Sequence, residues 1–167
     1  MSSVRRATAD DARAIAEVQV TTWQSAYAHV FPANVLESLS VDERELTWRQ
    51  FAESDVMTLC VAEVEGDVVG FVNVGESRDL PGEGELYAIY VLPDHWGSGA
   101  GPALMDAARE WLGRRFSTAT LWVLEDNPRA RRFYEREGWV ADDRRTDVVR
   151  GVEVAEVRYR LSGLERR

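Results

Sequence analysis

Val91-Leu92-Pro93-Asp94-His95-Trp96-Gly97-Ser98-Gly99-Ala100-Gly101-Pro102 decides how this chain folds. An apolar run, Glu85 to Leu92, ends in it, and three alternating glycines follow. Beyond them Leu104, Ala107, Ala108, Trp111 and Leu112 recur at helical spacing. Strand, glycine loop and helix therefore come in immediate succession. Alternating glycines remove Cβ atoms and permit left-handed backbone, so successive amides converge on one anion. A helix amino terminus adds unsatisfied N–H groups and a favourable dipole. The stretch reads as a main-chain phosphate cradle or, on the glycines alone, as a tight strand-to-helix turn. A dinucleotide fingerprint fits poorly, because its third glycine falls at Pro102.

Outward from this stretch the periodicities are regular. Val4 to Ala7 reads as a short strand. Asp10 or Asp11 then caps a helix carrying Ala12, Ala16, Val20, Trp23 and Tyr27. After Phe31-Pro32 a helical turn is expected around Val35 to Leu39, and a further helix from Asp42 to about Ala52. Met57 to Glu63 and Val68 to Val74 form a hairpin through Glu65-Gly66-Asp67. Downstream, Ala119 to Leu124 reads as a strand and Pro128 to Glu137 as a helix. Two last strands lie near Val140 to Val149 and Val152 to Leu161. This order predicts an α/β (α+β) fold, a mixed sheet with helices on both faces. Without repeats, low-complexity tracts or linkers, residues 1–167 are expected to form a single domain.

Composition narrows the function. The formal net charge of −9 argues against nucleic acid, which demands a cationic face, and mildly favours a cationic ligand. One cysteine, Cys60, excludes a disulfide framework and a tetrahedral cysteine zinc site, and two histidines make a histidine-rich metal site improbable. There is no lysine, hence no Walker-type phosphate loop and no lysine Schiff base. With no secretory signal and no run of membrane-spanning length, a cytoplasmic protein without membrane contact is expected.

With those residues in view, the chain resembles the GNAT superfamily of N-acetyltransferases. Their hallmark is Gln or Arg, two residues, Gly, one residue, and Gly or Ala, directly after an apolar strand. Here it reads Trp96-Gly97-Ser98-Gly99-Ala100-Gly101. The resemblance continues through Leu121-Trp122-Val123-Leu124-Glu125-Asp126-Asn127-Pro128 and Phe133-Tyr134 to Gly138-Trp139, similar to the family's strand–Asn–helix–Phe-Tyr–Gly-Trp block. There are two departures: Trp96 stands where the family has a polar residue, and Pro102 lacks an amide proton. What the resemblance implies is a mostly antiparallel sheet of six to seven strands. It implies acetyl-CoA as co-substrate, no metal, and a small-molecule or peptide amine as acceptor. Dimers are frequent in the family, and the terminal strands offer a homodimer interface.

The same resemblance suggests roles for individual residues. Trp96, Gly97, Ser98, Gly99, Ala100 and Gly101 would hold the diphosphate. Ile89 and Val91 would offer backbone groups to pantetheine, with an N–H near Val91 for the thioester oxyanion. Asn127 precedes a proline suited to the first helical position, so it caps that helix and, in the family, also touches pantetheine. Glu85 is the expected base, direct or through water, and an acceptor contact. The other reading makes Glu83 and Glu85 solvated strand-start residues. Tyr134 is the expected acid for the departing thiolate, against a plain core aromatic. Tyr27, His29 and Phe31 are weaker acceptor-site candidates, while Trp48 and Trp122 are assigned to packing. Transfer of another acyl group, or a sensor of the same fold that binds acyl-CoA without catalysis, remain the alternatives.

Overall fold

A computed structural model describes residues 2–164; residues 1 and 165–167 of the expected domain lie outside it. The chain opens with β1 (Ser2–Arg6), α1 (Ala12–Ala26), α2 (Ala33–Glu37) and α3 (Val41–Ala52). The hairpin β2 (Met57–Val64) and β3 (Asp67–Glu76) follows, then β4 (Gly84–Val91), α4 (Ala100–Gly113), β5 (Thr118–Leu124) and α5 (Pro128–Arg136). A second hairpin, β6 (Val140–Val149) and β7 (Val152–Ser162), closes the fold. All seven strands join one sheet in the order β1-β2-β3-β4-β5-β7-β6. Only β4 and β5 run parallel; every other neighbouring pair is antiparallel.

Alternation along the strands assigns the two faces. Leu59, Val61 and Phe71 pack beneath α1 and α3, against Ala12, Ile15, Ala16, Val18 and Trp48. On the opposite face Val72, Val74, Leu86, Leu121, Val123, Val157 and Tyr159 pack against Leu104, Met105, Ala108 and Leu112 of α4 and Tyr134 of α5. Helices thus cover both faces, as the element order predicts.

The helix starts follow local chemistry. Asp11 anchors the first helical turn: its carboxylate accepts both Arg5 guanidinium hydrogens at 2.8 Å and the Thr8 N–H at 2.8 Å. At α3 the cap is Ser40, two residues before the expected Asp42, and its Oγ accepts the Glu43 N–H at 3.2 Å. Among the described residues no helix is long and apolar enough to cross a membrane.

One irregularity shapes the molecule. β4 and β5 pair at only two positions, Gly84 with Ala119 and Glu85 with Thr120, although β4 runs on to Val91 and β5 to Leu124. On its other edge β4 keeps its ladder to β3 as far as Val91, with a register shift that leaves Tyr87 unpaired as a bulge. A bulge bends and twists its strand. Beyond Glu85 the two parallel strands separate, and a wedge opens in the middle of the sheet.

Candidate active site

The wedge continues into a cleft of about 570 Å³, bordered by β4, β5, α1, α5 and the start of α4. Its two ends differ in chemistry.

At one end Ile89 and Val91 lie on β4 where the strand has no partner on its β5 side, so backbone groups on that edge are open to a ligand. The glycine loop comes next. Gly97 and Gly99 have φ of +79° and +93°, and a Cβ on either would meet nothing within 4 Å. Backbone conformation, not crowding, demands glycine at both. The amides of Gly97, Gly99 and Gly101 donate to no described group. Ser98 Oγ accepts a long bond from the Ala100 N–H at 3.4 Å. Trp96, Gly97 and Gly101 border the cleft, whereas Ser98, Gly99 and Ala100 do not: Gly99 caps α4 and Ala100 is buried beneath the turn. Pro102 lies in the first turn of α4, where an N–H would have no helical partner, so its missing hydrogen costs the helix nothing.

Trp96 folds back on the strand end. Its Nε1–H donates to the Val91 carbonyl at 2.8 Å, and the Arg129 guanidinium lies 3.6 Å from its ring centroid. Arg129, Arg132 and Arg136 all border the cleft from α5. Burial and the two neighbouring guanidinium charges push the Arg129 pKa down. The intervals of three and four place the three arginines on one helical stripe. That spacing was the available signal for this cationic face, which the sequence reading missed.

Asn127 caps α5 by accepting the Ala130 N–H at 3.2 Å, and its Nδ2 reaches the Tyr27 hydroxyl at 3.4 Å. Tyr134 sits deep in the cleft wall against Trp139 and Tyr159. Its hydroxyl has no hydrogen-bond partner among the described residues. Burial raises its pKa, and the Tyr90 phenol adds to the effect.

The other end is aromatic, with carboxylates and arginines together on its border. Trp23, Tyr27 and Phe31 form one cluster, with Trp23 stacked on Phe31 at 5.4 Å and edge-on to Tyr27 at 5.0 Å. Trp23 Nε1–H donates to the buried Tyr90 hydroxyl at 3.1 Å. Trp122 faces them across the opening with the Arg145 guanidinium 4.0 Å from its ring. Trp122 therefore walls the cleft and is not packing alone, while Trp48 is buried as expected, 3% exposed. Asp147 and Glu156 are the carboxylates that border this end among the described residues.

Two expected site residues lie elsewhere. Glu85 is 1% exposed and does not border the cleft. Its Oε1 accepts the Arg78 backbone N–H at 3.0 Å, and its Oε2 accepts the Arg78 guanidinium at 2.5 Å. Neither carboxylate oxygen is left facing an acceptor; Glu85 instead fixes Arg78, which does line the cleft. This placement of Glu85 has a physical cause. An ionised carboxylate buried at the paired, closed end of the wedge requires a cation, and the loop before β4 supplies one. His29 also stays outside: its Nε2–H donates to the Asp126 carbonyl, 2.8 Å away in the loop that precedes α5. Tyr27 and Phe31 do line the cleft.

Comparisons with known proteins agree with this fold. Residues 19–139 match the model of the "Acetyltransferase (GNAT) family". The uncharacterized N-acetyltransferase YuaI of Bacillus subtilis is 37% identical over 131 residues, 77% of this chain and 75% of that one. Among solved structures, the PaiA N-acetyltransferase of Thermoplasma acidophilum, in complex with coenzyme A, shares the fold. Its TM-score is 0.78 at 19% identity, over 97% of this chain and 99% of that one. The YncA protein of Salmonella typhimurium, solved with acetyl-CoA, superposes with a TM-score of 0.75 at 20% identity, over 97% of this chain and 94% of that one. By family model, relatives and fold, the chain belongs to the GNAT family of acetyltransferases.

Proposed function

We propose that this chain transfers the acetyl group of acetyl-CoA to a primary amine by direct attack in a ternary complex. The observation that carries the reading is the wedge between β4 and β5, with open backbone on one wall and the Tyr134 hydroxyl, unbonded, on the other. Names of related structures support the donor: two of them hold coenzyme A or acetyl-CoA.

Each part of the cleft has a task in this reaction. The free amides of the loop and the arginine stripe of α5 suit the diphosphate and the remaining phosphate of coenzyme A. Ile89 and Val91 bond pantetheine through the open strand edge, and Asn127 caps α5 beside it. A β4 N–H near Val91 stabilises the oxyanion. Tyr134 donates its proton to the departing thiolate. Burial keeps the phenol protonated, and the same dry surroundings raise the thiolate's proton affinity, so donor and acceptor shift together.

Free thiol released from acetyl-CoA in the presence of benzylamine, putrescine, glycinamide or a lysine-containing peptide tests the reading. Amine-dependent release is the expected result. Binding of acetyl-CoA with no release for any amine would assign the fold to an acyl-CoA sensor instead.

A further inference from the structure

With Glu85 sealed behind Arg78, the acceptor end needs another group to take the amine's proton. We propose that Glu156 is that group: it receives the acceptor's ammonium and accepts its proton. This rests on the transferase reading above.

Register places Glu156 where the role requires. On β7 it lies opposite Leu124, the last residue of β5, and on its other side opposite Arg145 of β6. Cross-strand partners share a face. Leu124 packs with Tyr27 and Phe31 beneath the first two helices, so Glu156 belongs to the aromatic wall and not to the α4 side. Its side chain is 12% exposed, against 48% for Asp147 nearer the β6–β7 turn. Oε1 accepts from Arg145 Nε at 2.8 Å, while Oε2 accepts no hydrogen bond among the described residues. Arg145 itself stacks on the Trp122 ring and lies 3.6 Å from both Asp79 and Asp147. One oxygen is held and the other is free.

The Tyr90 phenol, which accepts from Trp23 Nε1–H, also borders the cleft. Burial raises its pKa, hydrogen bonds with Trp23 and Tyr27 and the Arg44 charge oppose the rise, and the negative charge of Glu156 adds a smaller push upward; Tyr90 in turn raises Tyr134. Arg145 of β6 pairs with Glu156, Asp79 and Asp147 lie 3.6 Å from that arginine, and the Tyr90 phenol of β4 feels the Glu156 charge together with Arg44 and a hydrogen bond with Tyr27.

Proton accounting closes. An ammonium nitrogen sheds two protons on becoming an amide N–H. The first passes to Glu156 and from there to solvent. The neutral amine then forms the C–N bond at the thioester carbon. As the C–S bond breaks, Tyr134 protonates the sulfur, and the second nitrogen proton restores Tyr134. The substrate class that follows is a cationic amine whose body stacks on Trp23, Phe31 and Trp122. Acceptors whose amine adjoins a carboxylate are disfavoured, because Arg78 and Arg145 already hold carboxylates.

The test uses the full chain, acetyl-CoA and the fastest amine of the panel named above, with rates from pH 6.5 to 10. For E156Q, kcat/KM for the amine is expected to fall about 10²–10³-fold near pH 7, with acetyl-CoA affinity within about twofold. The deficit should shrink about tenfold per pH unit on approach to the amine's own pKa, about 10.4 for an alkylamine, because solvent then performs the deprotonation. E156D keeps a carboxylate; a loss under about tenfold is expected, and it serves alone should the amide variant not fold. An E156Q profile parallel to wild type, or an E156D loss equal to that of E156Q or above about a hundredfold, overturns the assignment and leaves the transferase reading standing. A wild-type chain that acetylates no amine overturns both.

Discussion

Tyr134 carries the sharpest expectation for a single side chain. Its hydroxyl is buried in the cleft wall and bonded to nothing described, so Tyr134→Phe removes one oxygen and leaves the packing on Trp139 intact. Turnover should fall about 10²–10⁴-fold while acetyl-CoA binding stays within a few-fold; steady-state kinetics beside calorimetry separate the two. Gly99 is a backbone case. With φ at +93°, Gly99→Ala should cost about 1 kcal/mol or more of stability and weaken coenzyme A binding, read by thermal melts and titration. How legible were these residues? The glycines and Tyr134 announce themselves by motif. Glu85 does not, because its partner Arg78 comes from a loop without periodicity and nothing in a strand pattern reports who neutralises a buried charge. Trp122 was readable in part: Leu121 and Val123 face α4, so Trp122 had to face the other way.

At the scale of elements, α5 and the first helical turn each invite a test. The stripe Arg129, Arg132 and Arg136 sets a cationic wall on an otherwise acidic chain. Replacing Arg129 and Arg132 together with alanine should weaken acetyl-CoA binding about tenfold at low salt. The difference should narrow at 0.5 M salt as screening removes the advantage, which titrations at two ionic strengths would show. The Arg5–Asp11 clamp is a matter of stability. The Arg5 hydrogen bonds hold the Asp11 carboxyl below its ordinary 3.8 despite partial burial. A carboxyl depressed on folding stabilises fully above that ordinary value, and the contribution fades as pH falls beneath it. Asp11→Asn should therefore cost about 1–2 kcal/mol at neutral pH, with the gap to wild type closing below about pH 4 in denaturant titrations. Element positions were legible almost throughout, since burial imposes period two or 3.6 on the sequence. The bulge at Tyr87 was not: one unpaired residue inside an apolar run leaves the hydrophobic pattern of β4 unchanged.

For the whole molecule, one departure from regular pairing generates the site. Two parallel contacts between β4 and β5, then separation, convert a continuous sheet into a slot that reaches from the arginines of α5 to the carboxylates of β6 and β7. The slot's two ends differ: arginines alone where a phosphorylated donor would lie, aromatic rings and arginine-paired carboxylates where a protonated amine would arrive. The element order and the helices on both faces followed from the sequence, but the strand separation did not, because it depends on which strand edges fail to meet. The most direct measurement is a crystal structure of the full chain with acetyl-CoA. The diphosphate is expected on the amides of the Gly97–Gly101 loop, pantetheine along Ile89 and Val91, and the thioester sulfur within hydrogen-bond reach of the Tyr134 hydroxyl. Acetyl-CoA bound outside the wedge, or with its sulfur turned away from Tyr134, would contradict the account.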